Sequence, residues 1–127
     1  AEVGAMRARW RTERDRSTDT MLDLKQGTGA LLDIEFILQT LILLHAHEHT
    51  ALLGSGNSAQ LIAVCGRVGA LAEGDARDLA QAHAVLLKRA LDCTLDARPR
   101  LVPRDAGLER HAQAVLRVAT ATGLRFG

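Results

Sequence analysis

The chain has 127 residues, a net charge of +1, 47% hydrophobic and 24% charged residues, a composition expected of one globular domain. At this size folding buries roughly two thirds of the surface that the unfolded chain exposes, enough for a core without disulfide staples. Acidic and basic side chains are mixed along the chain and the aromatics are only Trp10, Phe36 and Phe126, so neither a basic tract nor a stacking platform points to nucleic acid.

Residues 2–16 are predicted to form a first helix, with Val3, Met6 and Trp10 at helical spacing. Arg7, Arg9, Arg11, Arg14 and Arg16 cluster there, but Glu13 and Asp15 interleave them, as on a solvated helix face. STDT (17–20) ends this helix, and KQGTG (25–29) reads as a loop because paired glycines are costly inside a helix. A second helix is expected over 30–49. Leu31, Ile34, Leu38, Leu41 and Ile42 share one of its faces, and Phe36, Ile37 and Leu44 lie on another, as in a central, buried helix. Asp33, Glu35 and Gln39 interrupt this longest apolar run, whereas a membrane span takes about 20 mostly apolar residues, so no membrane partner is expected.

GSGNS (54–58) is a turn, with Asn57 or Ser58 as N-cap of a short helix near 58–70. Asp75, with Asp78 three residues on, opens a helix that ends near Leu95 and has the stripe Leu79, Ala82, Leu86, Ala90. ARPRLVPRD (97–105) holds both prolines and reads as a loop. Leu108, Ala112, Val115, Leu116 and Ala119 mark a last helix over 107–122. No stretch alternates at period two. The expected fold is therefore all-α, a bundle of about five helices forming a single helical domain over 1–127.

Cys65 and Cys93 fall inside apolar helical patterns, not in a C-x-x-C spacing, which suits buried free thiols in a reducing, cytoplasmic setting. The charged N-terminus does not read as a signal peptide. It begins in helical register without an initiator Met, and the expectation is a piece of a larger protein. His45 and His49 have the i, i+4 spacing of a zinc pair, but the order H-E-x-x-H is absent. Histidines at a helix C-terminus act as dipole partners, so no metal is expected at His45, His47 and His49. His83 and His111 stand alone and read as surface or half-buried residues.

The segment DLKQGTGALLDIEF (23–36) poses the sharpest question. It is no dinucleotide fingerprint, because Leu32 stands where the third glycine belongs and no strand is predicted before it. It is no P-loop, because Lys25 precedes the glycines. A loop feeding a helix N-terminus can still hold an anion. Asp33 and Glu35 are two apart, about 200° around a helix, and cannot share one site. Asp33 sits in the first turn, where an acid complements the helix dipole. Glu35, with Gln39 one turn on, needs a cation, a metal, or an opening to solvent or a partner. A salt bridge to an arginine of a neighbouring helix and a functional role both remain open for it.

DLKQGTGALLDIEFILQTLILLHAHEH (23–49) closely resembles the bacterial glutamine-synthetase adenylyltransferase family, whose pattern is D-L-K-x-G-x-G-G-[ILV]-x-D-I-E-F-x-x-Q-x-L-x-L-x-H-A. The matches are Asp23, Leu24, Lys25, Gly27, Gly29, Asp33, Ile34, Glu35, Phe36, Gln39, Leu41, Leu43, His45 and Ala46. MRARWRTERDRS (6–17) resembles the family's arginine-rich lead-in helix, and NSAQLIAV (57–64) its N-[ST] helix start. The resemblance is specific over about 5–65 and weak beyond. Ala30 replaces the second glycine of the G-G pair, and the family's later arginine- and histidine-rich signature is hardly visible in LLKRALDCTLD (86–96).

The resemblance implies a C-terminal helical domain packed behind the adenylylating catalytic domain of a nucleotidyltransferase. The full enzyme moves AMP from ATP, with Mg2+, to a tyrosine hydroxyl of glutamine synthetase, and PII protein and glutamine regulate it. Enzymes of that class hold their metals with D-x-D after a G-S turn. GSGNS has the G-S and no D-x-D follows, so the catalytic site is incomplete and this chain alone is expected to bind no cofactor and transfer no AMP. Lys25, Gly27, Gly29, Asp33, Glu35 and Gln39 are the candidates for a nucleotide-side or interdomain contact, the catalytic domain in cis being the partner. The alternatives are an accessory domain of a PII uridylyltransferase-like enzyme and a free-standing helical interaction module.

Overall fold

The computed structural model describes residues 14–54 and 56–124. The expected first helix, 2–16, lies outside the described residues except for 14–16, of which 15 and 16 are irregular. In chain order the elements are strand β1 (Met21–Asp23), helix α1 (Leu31–His45), a 3-10 turn (Thr50–Gly54), α2 (Ser58–Val68), α3 (Glu73–Leu95), β2 (Leu101–Pro103) and α4 (Ala106–Ala121).

The bundle is not purely helical. β1 and β2 pair antiparallel with Met21 opposite Pro103, Leu22 opposite Val102 and Asp23 opposite Leu101. The segment around the prolines is thus part strand, not all loop. Pro103 is tolerated because it ends an edge strand, where a missing N–H costs little. Leu22 and Val102 face the core, 0% and 3% exposed, so the sheet closes the bundle at the end where the chain enters α1 and leaves α3.

Among the described residues there are four α-helices. α1 is shorter than its apolar run, since 46–48 form a turn. Ile34, Ile37, Leu38 and Leu41 are buried, but Leu43 and Leu44 are 74% and 53% exposed, so the C-terminal part of α1 is not enclosed. Asn57 caps α2 in a full capping box: its side chain accepts from Gln60 N–H at 2.9 Å and Gln60 Oε1 accepts from Asn57 N–H at 3.2 Å. Gly69, at φ 84, ends the helix in the left-handed conformation.

α3 starts at Glu73, two residues before Asp75, and buries the stripe Leu79, Ala82, Leu86, Ala90 together with Cys93. α4 is capped by Asp105, whose carboxylate accepts Leu108 N–H at 2.8 Å. That bond and Arg89, 3.6 Å away, hold Asp105 below the usual carboxylate range. Leu108, Ala112, Val115, Val118 and Ala119 make the buried face of α4. α3 packs between α2 and α4, and α1 touches all three. α1 can therefore carry one face to the α4 side and another to the α2 and α3 side, which decides what its two acids do.

Candidate functional site

The glycine loop is built by Asp23, which is 2% exposed. Its Oδ1 accepts the N–H groups of Lys25 at 3.0 Å and Gln26 at 2.9 Å. Its Oδ2 accepts Arg16 N–H at 3.3 Å and lies 3.7 Å from the Arg16 guanidinium. The chain folds back on itself, and Gly27 N–H donates to the Asp23 carbonyl at 2.9 Å. A Cβ on Gly27 would lie 2.5 Å from that carbonyl oxygen and 2.6 Å from Leu22 Cδ1. Gly29 has φ +77, and a Cβ there would lie 2.5 Å from the Ala112 carbonyl oxygen and 2.8 Å from Ala112 Cα. Gly29 lets the loop lie directly on α4, and Gly27 lets it fold back against β1.

The N–H groups at the start of α1 are largely engaged within the chain. Ala30 donates to Gly27, Leu31 to Leu24 and Leu32 to Lys25, each at 3.0 Å. Gly29 N–H donates to the Asp33 carboxylate at 2.7 Å, and Asp33 is fully buried. The loop is a joint between β1, α1 and α4. Gly27, Gly29 and Asp33 hold it together, and Lys25 stands exposed at its rim.

Glu35 points elsewhere, as its offset of about 200° from Asp33 requires. It is half-buried, and Oε1 accepts the Ser58 hydroxyl at 2.6 Å. Ser58 opens α2, so the carboxylate also meets the positive end of that helix dipole. With Asn57, Ser58, Ala59, His83 and Leu87 it lines a cavity of about 350 Å³ between α1, α2 and α3. Oε2 has no hydrogen bond or ion pair among the described residues, and neither has Glu35 an arginine partner. Among the described residues a hydroxyl and an open cavity thus take the place of the arginine salt bridge that the sequence allows. Gln39, one turn on, is exposed.

His83 is not a surface residue: it is 7% exposed, on the buried side of α3. Burial pushes its pKa below the ordinary 6.5, and the Glu35 carboxylate partly offsets this. Ser58 donates its proton to Glu35 and not to an imidazole, so the cluster is not a nucleophile–base pair. It offers a carboxylate oxygen at the mouth of a small cavity, beside a histidine biased to neutrality.

The pH dependence has a definite sign. The unfolded imidazole takes a proton near 6.5, while the folded one resists it. The His83 contribution to stability is complete above that value and is lost as pH falls from there through the lowered folded pKa. His83→Leu is expected to flatten the fall in Tm between pH 7.5 and 5.5. Equal slopes for the two proteins would refute this assignment.

Of the remaining histidines, His47 is exposed beside Glu48 at 3.8 Å, and the His45 carbonyl accepts the N–H groups of Glu48 and His49 at the end of α1. Among the described residues no group of three or more His, Cys, Asp or Glu converges on a metal position. Cys65 and Cys93 are free and buried, and burial raises the Cys65 thiol pKa. Two wider surface hollows, of about 630 and 770 Å³, are bordered by the ion pairs Arg104–Glu109 and Arg117–Asp78 and hold none of the six candidates. Sequence reasoning did not single out Ser58 or His83 for the site. His83 lies beside Ala82 and a turn from Leu79 and Leu86, so its place on the buried stripe was the available signal.

Residues 3–124 match the family model described as GlnD PII-uridylyltransferase. The chain is 44% identical over 126 residues to the bifunctional glutamine synthetase adenylyltransferase/adenylyl-removing enzyme of Stenotrophomonas maltophilia (strain K279a), covering 99% of this chain and 14% of that protein. It is 45% identical over 125 residues to the protein of the same name from Xanthomonas campestris pv. campestris (strain B100), covering 98% of this chain and 13% of that protein. A protein of the same name from Shewanella loihica is 32% identical over 117 residues, 92% of this chain. The likeness thus extends well past residue 65, through α3 and α4.

Proposed function

We propose, from the premise that this chain belongs to the family described as GlnD PII-uridylyltransferase, that it is a helical accessory domain in the adenylylating half of an enzyme that moves AMP from ATP to a tyrosine hydroxyl of glutamine synthetase. The observation that carries this reading is the 44% identity, over 99% of the chain, to a protein named as a glutamine synthetase adenylyltransferase. That identity favours the adenylyltransferase branch over the uridylyltransferase that the family description names. The work of such an enzyme is regulation of nitrogen assimilation in the cytoplasm, with PII protein and glutamine as its controls. No helix among the described residues is long and apolar enough to cross a membrane.

In this reading ATP and Mg2+ belong to a catalytic domain in cis. The described residues of this chain do not fit the metal, because no carboxylates cluster for it, and no step through Mg2+ is assigned to them. The 127 residues alone are expected to be inactive. Gly27, Gly29 and Asp33 serve as the internal joint. Lys25, exposed at the rim of that joint, is the residue free to reach a triphosphate. Glu35 and Gln39 dock the catalytic domain from the other face of α1.

Glu35→Gln tests the reading in the full-length polypeptide. AMP transfer is expected to fall by about tenfold or more, a loss of about 1.4 kcal/mol of transition-state stabilisation, with Tm unchanged. A parallel loss of Tm and activity would make Glu35 a structural residue only. A variant with wild-type activity would remove Glu35 from the functional site.

A further inference from the structure

α3 carries apolar side chains on two faces. The first lies in the core. The second is Leu87, Leu91 and Leu95, 40%, 52% and 83% exposed. They recur every four residues, about 6 Å apart along the helix. Single exposed leucines are ordinary on a protein surface, but these three are in register. Leu87, at one end, also lines the cavity that holds Glu35. An apolar stripe about 12 Å long therefore runs into a pocket with a half-buried carboxylate, whose Oε2 has no partner among the described residues.

We propose that the Leu87–Leu91–Leu95 stripe and the Glu35 pocket form one docking surface for a basic amphipathic helix from elsewhere in the same polypeptide. That helix lays apolar side chains along the stripe and places an arginine or lysine against Glu35 Oε2. The inference rests on the reading of this chain as one domain of a longer enzyme, and it names what meets Glu35.

The occupant's charge follows from the pocket. Glu35 is the acid there, Ser58 satisfies only Oε1, and the facing titratable group, His83, is held toward neutrality by burial. Lys88, beside the stripe, is already paired with Asp92 at 3.2 Å and does not offset Glu35. A cation entering beside Leu87 gains a charge-assisted hydrogen bond to a half-buried carboxylate. The occupant's shape follows from the stripe: leucines at i, i+4, i+8 fit an apolar helix face laid alongside.

Its origin follows from size and length. Three leucines and one small cavity present far less than the ~800 Å² per partner of a stable interface between separate chains. A tethered segment needs less surface, because tethering raises its effective concentration. The chain spans only 14% of the length of the Stenotrophomonas relative, so most of such a polypeptide is left to supply the segment.

The test is photo-cross-linking in the full-length polypeptide with p-benzoylphenylalanine in place of Leu91, read by peptide mass spectrometry. The expected product is an intramolecular cross-link to a segment outside these 127 residues that carries Arg or Lys within a turn of the linked position. Glu35→Lys is expected to cut its yield at least tenfold, and changing that basic residue to Glu in the Glu35→Lys background to restore it. Glu35→Gln, with its Tm checked, serves if Glu35→Lys does not fold, and is expected to lower the yield severalfold. A cross-link to a second copy or to another protein, no cross-link, or a yield indifferent to Glu35 would overturn the proposal. AMP transfer to glutamine synthetase is measured on the same preparations. The cross-link without transfer would sink the enzymatic reading and keep the docking surface; transfer without the cross-link would do the reverse.

Discussion

Gly29→Ala is expected to destabilise the chain by about 3 kcal/mol or more. A left-handed backbone costs an L-residue about 1–2 kcal/mol, and Gly29 sits at φ +77. The new Cβ would also lie 2.5 Å from the Ala112 carbonyl oxygen and 2.8 Å from its Cα. Backbone of a helix yields less readily than a side-chain tip, and forced overpacking adds about 1–3 kcal/mol. Urea unfolding of wild type and variant measures the difference. Unchanged stability with lost nucleotide affinity in the full-length polypeptide would instead make this loop a ligand contact.

Asp23→Ala is expected to cost about 3 kcal/mol by the same measurement. The Asp23 carboxylate accepts the N–H groups of Arg16, Lys25 and Gln26 and pairs with the Arg16 guanidinium. Each buried donor left without an acceptor costs about 1–3 kcal/mol, less where water can reach it, and these three are partly buried. Asp23→Asn, which keeps one carbonyl acceptor for Lys25 and Gln26, is expected to cost less than half as much. Equal losses for the two variants would mean that the charge, not the loop geometry, matters at this position. Together the two results separate the joint at the start of α1 from the Glu35 pocket, whose removal is expected to spare stability.

The helices were readable because their stripes were. Leu79, Ala82, Leu86 and Ala90 lie in the core as their spacing requires, and so do Leu108, Ala112, Val115 and Ala119, whereas Leu116 of that last stripe is only half-buried and Val118 is buried in addition. Asn57 caps α2 because its side chain can accept the N–H that the helix start leaves unpaired. The opposed directions of Asp33 and Glu35 follow from helical geometry alone. The small sheet was not readable: three-residue strands are too short to show alternation, and Leu22 meets Val102 only through the tertiary fold. Leu44, placed by its spacing with Phe36 and Ile37 on a buried face, is exposed instead, because apolar residues being inside is a rule that holds in one direction only.

The Glu35 site was half legible. A carboxylate in an apolar run calls for a partner, but its partner is 23 residues away on another helix. A serine at a helix start reads as a capping residue, with nothing local to tie it to Glu35. His83 was hidden by its own ambiguity, since an imidazole suits either a surface or a core position. α3 and α4 carry few rare residue types, so motif reasoning faded there while the identity to the Stenotrophomonas relative ran over 126 residues.

The most direct measurement is incorporation of labelled AMP from ATP into glutamine synthetase, with the full-length polypeptide and these 127 residues assayed side by side. Incorporation at a tyrosine is expected with the full-length polypeptide, and none with the 127 residues alone. A full-length polypeptide that leaves glutamine synthetase unlabelled and transfers UMP to a PII protein would contradict the adenylyltransferase reading.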